Sequence, residues 1–489
     1  MSVDSSEVLA LVFLGLEWIY SISIFVLVVI IITERRNPLR AIAWILILIA
    51  LPGFGLVAYV LFGRSLRRQK LSRVKAEADR RLLEQLKARR PSELEEATGS
   101  RARELRHALP LMELLHNNSR AFLARKNRIV VLRNGSETFP AMIAAIQKAR
   151  SHIHLESYII EDDALGRRVR DLLIEKARAG VEVRLIYDDI GSWDLSSEFV
   201  EGLRSARVEV QSFMPVFSVH FPNRANFRNH RKLLIVDGRI GFIGGLNIGQ
   251  SYLSGDPTLG PWRDTHLMIE GQAVQGLQGV FLSDWQFVSD EAIEDHTRFF
   301  PTVNWRGDQW VQVVASGPDS EWASIMQAHF AAIMLARRYA YISTPYFLPN
   351  ESILNALKTQ ALSGVDVRLI LPATGDHWIV HHASLSYVDE LLDAGVRVFF
   401  YKEGFHHAKV LVTDDFVASV GTANMDIRSF EHNFEATAFI YDRRCARTLR
   451  KQFEKDLEDS EEAVLERVRN WPRALRLSCS VARLFSPLL

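Results

Sequence analysis

Two apolar runs open the chain. Leu9 to Ile32 carries one charge, Glu17, beside Trp18 and Tyr20, and Ala41 to Gly63 carries none. A helix needs about 20 apolar residues to cross a bilayer core, so the pattern predicts two membrane spans, at about 9–32 and 41–63, within residues 1–66. The first run has no basic stretch before it and no small-residue cleavage site after it, which argues against a removable signal peptide. The second contains Pro52-Gly53-Phe54-Gly55, where a kinked or re-entrant course is the alternative. Burial as core helices is the competing reading, disfavoured because cores seldom use such long uncharged stretches. Arg35, Arg36 and Arg40 lie between the runs, and Arg64, Arg67, Arg68, Lys70 and Arg73 follow the second. Positive charge stays cytoplasmic, so the heavier cluster predicts a cytoplasmic catalytic region, in competition with the basic loop. Residues 67–115 are rich in Lys, Arg, Glu and Leu and read as a charged juxtamembrane helical linker, interrupted near Pro91. That linker is either solvated or in contact with anionic head groups.

Beyond the linker the periodicity changes and repeats itself. Gly180-Val-Glu-Val-Arg-Leu-Ile186 is an alternating strand after the helical pattern 172–179; Gly364-Val-Asp-Val-Arg-Leu-Ile370 follows the helical pattern 353–361. The next strands, 208–210 and 396–398, match too, as do 153–158 and 341–346. Strands alternating with helices predict an α/β fold with a largely parallel sheet. Two such α-β-α repeats, 116–301 and 302–489, are expected to join near 302–312. At the end of the second, a helix from Arg473 would place Ala474, Leu477, Val481, Leu484 and Leu488 on one face and Arg473, Arg476, Ser480 and Arg483 on another. This suits an interfacial helix on anionic lipid or an amphipathic helix packed on the domain.

One short pattern occurs in both halves. His230-Arg-Lys232-Leu-Leu-Ile-Val-Asp237 and His407-Ala-Lys409-Val-Leu-Val-Thr-Asp414 both read HxKxxxxD. Gly244 and Gly421 lie 14 residues past the histidines, and Asn247 and Asn424 lie 17 past them. A single such motif is weak; two in register within a duplicated unit are specific. On a strand, residues two apart share a face, so each histidine sits with its lysine. If the repeats pack about a pseudo-twofold axis, one site holds two imidazoles, two ammonium groups and two amides. That set suits a phosphodiester. Lysines and amides neutralise the non-bridging oxygens. One imidazole attacks phosphorus, and the other protonates the leaving alkoxide and then deprotonates the incoming hydroxyl.

Each imidazole also needs an acceptor on its other nitrogen. Asp264, 34 residues after His230, and Glu435, 28 after His407, are the candidates at comparable offsets. Glycine turns near the site would let backbone approach a ligand. Asp237 and Asp414 complete the candidate catalytic motifs but sit at strand ends, where fixing a turn is the expected role. No metal is expected. His406 is a ligand only on paper and reads as a residue behind the site or at the surface.

Composition narrows the class. The 489 residues carry a net charge of +1 and 48% hydrophobic residues, the excess lying in the first seventy. Near-neutral charge disfavours a nucleic-acid partner, and no stacking-aromatic and basic stripe grips single strands. Cys445 and Cys479 form no CxxC pair and no disulfide framework. No GxxxxGK[ST] loop is present, which fits exchange between bonds of similar energy without a nucleotide.

The paired motifs resemble the phospholipase D superfamily, over about residues 117–489. Asn37-Pro-Leu-Arg-Ala-Ile-Ala-Trp-Ile-Leu46, Leu51-Pro-Gly-Phe-Gly55, Asn424-Met-Asp-Ile-Arg-Ser-Phe430, Asn433-Phe-Glu435 and Ser486-Pro-Leu-Leu489 make the chain similar to the bacterial cardiolipin synthases within it. The resemblance implies a multi-pass enzyme of the bacterial inner membrane, with phosphatidylglycerol as substrate and no cofactor. It implies cardiolipin and glycerol as products, through a phosphatidyl-histidine on His230 with His407 as general acid and base. Pseudo-symmetry leaves the reverse assignment open. Gly245 stands where the second repeat has Thr422, so a hydroxyl there serves at most one half. A hydrolase of the same superfamily, a phosphodiesterase on another substrate and a non-catalytic scaffold are the rivals.

Overall fold

The computed structural model describes residues 5–33, 38–51, 53–59, 100–215, 227–289, 297–303 and 305–486. Contacts divide the chain into two units, Met1–Lys70 and Leu71–Leu489.

In the first unit the chain forms helices α1 (Ser5–Thr33), α2 (Pro38–Ala50) and α3 (Phe54–Ala58). The second apolar run is therefore not one straight helix. It breaks between Ala50 and Phe54, where Gly53 adopts φ 80°, a left-handed conformation open to glycine at little cost. Residues 60–63 of that run, and residues 67–99 of the 67–115 linker, lie outside the described residues; the helix Ser100–Ser119 covers the rest of the linker. Leu27, Ile31, Leu48 and Tyr59 form a small core, with Trp44 edge-on to Tyr59 at 5.4 Å. Many large apolar side chains point outward, Phe25 at 69% and Trp18 at 65% exposure among them. Among the described residues no helix is long and apolar enough to cross a membrane.

The second unit is built on one sheet. Its first repeat supplies β1 (Ala124–Arg133), β2 (His152–Ser157), β3 (Glu182–Asp188) and β4 (Glu209–Phe213). β5 (Leu233–Val236), β6 (Ile240–Gly244), the short β7 (Trp262–Arg263) and β8 (Thr265–Gly271) complete it. The second repeat supplies β9 (Gln309–Ser316), β10 (Tyr339–Ser343), β11 (Phe347–Leu348), β12 (Asp366–Pro372) and β13 (Arg397–Tyr401). It continues with β14 (Phe405–His406), β15 (Val410–Thr413), β16 (Val417–Gly421), β17 (Met425–Asp426), β18 (Glu435–Tyr441) and β19 (Ser460–Glu462).

The large sheet has 15 strands. From one edge the first repeat runs β4-β3-β2-β5-β6-β8-β1, and the second continues β9-β18-β16-β15-β10-β12-β13, closed by β19. The two orders are mirror images about the β1·β9 seam. β2-β3-β4 and β10-β12-β13 are parallel, and the remaining pairs are antiparallel. The parallel strands carry helices on their crossovers and so read as nearly unbroken apolar runs. Crossover helices begin at side-chain caps: Asp163 accepts from Gly166 N, and Asn350 from Ile353 N.

The repeats are thus not two domains hung on a linker near 302–312. β9 starts at Gln309 and bonds directly to β1. A bulge interrupts this seam, and buried Asn127 fills it, donating to the carbonyls of Ala124 and Gln309 and accepting from Ala273 N. One sheet face is covered by Val274–Ser289 and Arg443–Glu458, whose apolar sides share a core drawn from both repeats. The opposite face holds a separate core in each repeat.

Candidate active site

The two HxK segments precede their strands. β5 starts at Leu233 and β15 at Val410, one residue beyond each lysine. The cause is a crossed backbone contact. His230 N donates to Phe434 O at 2.9 Å, and His407 N donates to Arg263 O at 2.7 Å. Each histidine therefore pairs with the residue just ahead of an acid from the other repeat.

The side chains follow the backbone. His230 Nδ1 lies 2.9 and 3.1 Å from the two carboxylate oxygens of Glu435. His407 Nδ1 lies 2.8 Å from Asp264 Oδ2. Both candidate acids stand at imidazoles, and each serves the histidine of the other repeat. Lys232 Nζ donates to the His230 carbonyl at 2.8 Å, and Lys409 Nζ to the His407 carbonyl at 2.7 Å. Lys409 Nζ is also 3.0 Å from His407 Nε2. Among the described residues no hydrogen bond engages Nε2 of His230.

Burial dominates the electrostatics. It pushes His230 down to about 4, with Glu435 opposing and Lys232 assisting. It drives His407 well below the usual range, helped by Lys409, Lys232 and His230. Burial also lowers Lys232 to about 7 and Lys409 to about 8, although Glu435 and Asp264 oppose it. These mutual influences across repeats bring both imidazoles and both lysines into one site. The acids differ. Burial holds Asp264 above the carboxylate range. For Glu435 burial is outweighed by His230, Lys232 and Thr422, and it falls below that range. Thr422 Oγ1 donates to Glu435 Oε2, and Asn433 Nδ2 lies 3.3 Å from Oε1. At Gly245, the Thr422 counterpart, a Cβ would sit 2.3 Å from Asp264 Oδ1. The first repeat lacks the hydroxyl because the carboxylate occupies its space.

The remaining motif residues have other tasks. Asp237 accepts from the amides of Arg150, Ser151 and His152, and Asp414 from those of Arg337, Arg338 and Tyr339. Both adopt left-handed φ, 54° and 53°, which aspartate tolerates better than most residues. Each pins its hairpin to a central strand and points away from the chemistry. Gly244 and Gly421 are packing positions and not ligand approaches: a Cβ there would meet His266 Nδ1 or Ala436 O at 2.5 Å. Asn247 donates to Tyr252 at 2.7 Å and accepts from Ile159 N. Asn424 bonds Ser429 Oγ through its backbone amide, and its side-chain oxygen is buried with no hydrogen-bond partner among the described residues. His406 is fully buried and lies 3.3 Å from Asp456, which also holds Arg263. Among the described residues no group of three His, Cys, Asp or Glu side chains could hold a metal ion.

Aromatic walls were not legible as such in the sequence. Tyr158 stands edge-on to His230 at 4.9 Å, with Lys232 Nζ 5.1 Å above its ring. Trp262 lies 5.5 Å from His407. Their only sequence signal is adjacency, Tyr158 to β2 and Trp262 to Asp264.

The C-terminal helix, Arg473–Leu484, buries Cys479 and Ala482, and Ala482 packs with Leu348 and Ala383. Leu477 and Leu484 of the expected apolar face instead point outward, 66% and 78% exposed, and Trp378 on the neighbouring helix is 63% exposed. Leu488 lies outside the described residues.

Comparison with known proteins agrees with this geometry. A family model described as "Cardiolipin synthase, PLD-like domain" matches residues 142–285 and 330–457, and one described as "Phospholipase_D-nuclease N-terminal" matches 21–64. A cardiolipin synthase of Geobacillus kaustophilus is 43% identical over 470 residues, covering 96% of this chain and 93% of that protein. The major cardiolipin synthase of Bacillus subtilis is 40% identical over 483 residues, covering 97% and 98%. Among solved structures, a phosphatidylserine synthase of Haemophilus influenzae shares the fold, with a TM-score of 0.60 at 14% identity over 79% of this chain and 100% of that one.

Proposed function

Because the chain belongs to the cardiolipin synthase family of phospholipase D-like enzymes, we propose that it transfers a phosphatidyl group between two phosphatidylglycerol molecules, giving cardiolipin and glycerol. The observation that carries this reading is the pair of carboxylate-buttressed histidines, one from each repeat, flanked by two lysines in one buried site.

The chemistry follows from the geometry. A carboxylate at Nδ1 fixes the tautomer that leaves a lone pair on Nε2. The bound phosphodiester's negative charge opposes the lysines that depress His407 and lets it take up a proton on Nε2. Nε2 of His230 then attacks phosphorus, and the bond to the leaving glycerol oxygen breaks as His407 gives it that proton. The second phosphatidylglycerol gives its hydroxyl proton to His407, its oxygen attacks phosphorus, and the phosphorus–Nε2 bond breaks. Lys232 and Lys409 hold the non-bridging oxygens throughout. Two observations favour His230 as nucleophile: its free Nε2, and the lower, doubly supported Glu435 behind it.

Both substrates are lipids, and the reading extends to a membrane-embedded protein. In the sequence the run Leu9–Ile32 is uncharged except at Glu17, the pattern expected of a membrane anchor. The outward apolar side chains of α1 to α3 support this, as does the N-terminal family match. The basic cluster 64–73 favours a catalytic unit on the cytoplasmic face of the inner membrane.

The test is turnover in vesicles of phosphatidylglycerol alone. Cardiolipin with equimolar glycerol is expected, and neither from His230→Ala or His407→Ala. Phosphatidic acid in place of cardiolipin would make the protein a hydrolase.

A further inference from the structure

The two sides of the site are not equivalent beyond their motifs. On the His230 side Asp188 acts on Lys232 and Tyr158, and its carboxylate is saturated. Arg228 Nη1 lies 3.2 Å from Oδ1, which also accepts from the amides of Ile190 and Gly191, and Asn229 N donates to Oδ2 at 2.8 Å. On the His407 side Asp376 stands in the same relation to Lys409 and to Tyr346, the counterpart of Tyr158. Tyr346 donates its hydroxyl to Oδ2, and His377 is 3.9 Å from that oxygen. No arginine or lysine pairs with Asp376 among the described residues, and its Oδ1 is buried without any donor. Tyr252 also lies within reach of the Asp376 charge, and its ring is 6.4 Å from that of His407.

A buried acceptor left without a donor costs about 1–3 kcal/mol, so such a group needs an explanation. A phosphodiester offers none, since it brings only acceptors and a negative charge that a carboxylate repels. A glycerol head group brings hydroxyl donors and no charge. We infer that Asp376 binds the second hydroxyl of the accepting glycerol head group and thereby selects a vicinal diol over water or a simple alcohol. This rests on the transfer reading above. One glycerol hydroxyl loses its proton to His407 and attacks phosphorus, while its neighbour donates to Asp376 Oδ1. The donor lipid's phosphate sits between the lysines, away from that carboxylate. Oδ2 stays with Tyr346, which leaves Oδ1 for the acceptor.

The experiment uses the full-length protein in phosphatidylglycerol vesicles, with labelled glycerol, ethanol and water competing as acceptors. Wild type is expected to favour glycerol per mole. Asp376→Asn is expected to lower the preference for glycerol over ethanol and water about tenfold or more, the loss of one charge-assisted hydrogen bond. Asp376→Ser carries the same expectation should the asparagine variant not accumulate. Tyr346→Phe keeps the carboxylate and is expected to keep the glycerol preference. Equal loss for all three acceptors, or an unchanged preference in the Asp376 variants, would overturn the inference. So would a wild type that moves phosphatidyl groups to glycerol no better than to ethanol. A wild type that transfers to no alcohol at all would instead overturn the transfer reading itself.

Discussion

Glu435 and Asp264 stand behind different imidazoles, so their loss separates the two steps of the reaction. With a p-nitrophenyl phosphodiester the leaving group needs no proton. Glu435→Gln then removes the support of the attacking His230, and the burst of nitrophenol disappears, with turnover down about 10²–10⁴-fold. Asp264→Asn spares the burst and slows only the second step. Stopped-flow absorbance reads both, and a burst lost in the Asp264 variant but kept in the Glu435 variant would reverse the roles. The pH profile follows from burial. His230 works neutral and is held at about 4, so the acid limb of kcat/KM lies well below the ordinary histidine value. The lysines work as ammonium ions, so activity falls as pH rises through about 7 to 8, where Lys232 and Lys409 lose their protons. An acid limb near 6.5, the ordinary histidine value, would contradict this account. Gly245→Thr makes the first repeat copy the second at a position where Asp264 fills the space. Displacing that carboxylate is expected to cost about 10–100-fold in kcat, in steady-state assays, whereas Thr422→Ser retains the hydroxyl and most of the activity.

Among the elements, the hairpins β5-β6 and β15-β16 show what the aspartate of each motif does. It closes the turn and staples it to the start of β2 or β10 through three backbone amides. Its place at a strand end suggested that role from the chain alone; the left-handed φ of Gly238 and Asp415 is seen only in the structure. The acid pairing was not. Offsets of 34 and 28 residues suggest service within each repeat, yet the backbone contacts Asn229·Phe434 and β14·β7 carry each acid across the axis. Local spacing holds no record of a contact 205 or 143 residues away. The C-terminal helix is the other instructive element. Its amphipathic pattern was readable, but which face packs was not, because the small residues Cys479 and Ala482 seat it and the larger ones face out. Outward Leu477 and Leu484 beside exposed Arg473 and Arg476 suit a bilayer surface. Leu477→Asp with Leu484→Asp is expected to lower turnover on phosphatidylglycerol vesicles at least several-fold, by weakening insertion of the helix into the lipid surface, and to leave turnover of a micellar short-chain substrate unchanged. Equal loss on both substrates would assign the helix to stability instead.

Across the catalytic unit, the duplication is expressed as one sheet with a mirror order of strands, and the active site lies across its axis. The sheet's continuity arises at the β1·β9 seam, where Asn127 meets the bulge, a junction with no pattern of its own in the chain. The repeated motifs, by contrast, were readable because chemistry demands the same residues twice. Near-symmetry that leaves the nucleophile open in the sequence is broken in the structure by Thr422 against Gly245, and by a saturated Asp188 against an open Asp376. The claim that joins these observations is a covalent phosphatidyl-histidine on His230. Its most direct test is to quench the wild-type protein in alkali during turnover of phosphatidylglycerol, which keeps the phosphorus–nitrogen bond while removing the acyl chains, then digest it and sequence the glycerophosphate-bearing peptide. The account predicts the adduct on His230, absent in His230→Ala; an adduct on His407, or turnover with no histidine adduct at all, would contradict it.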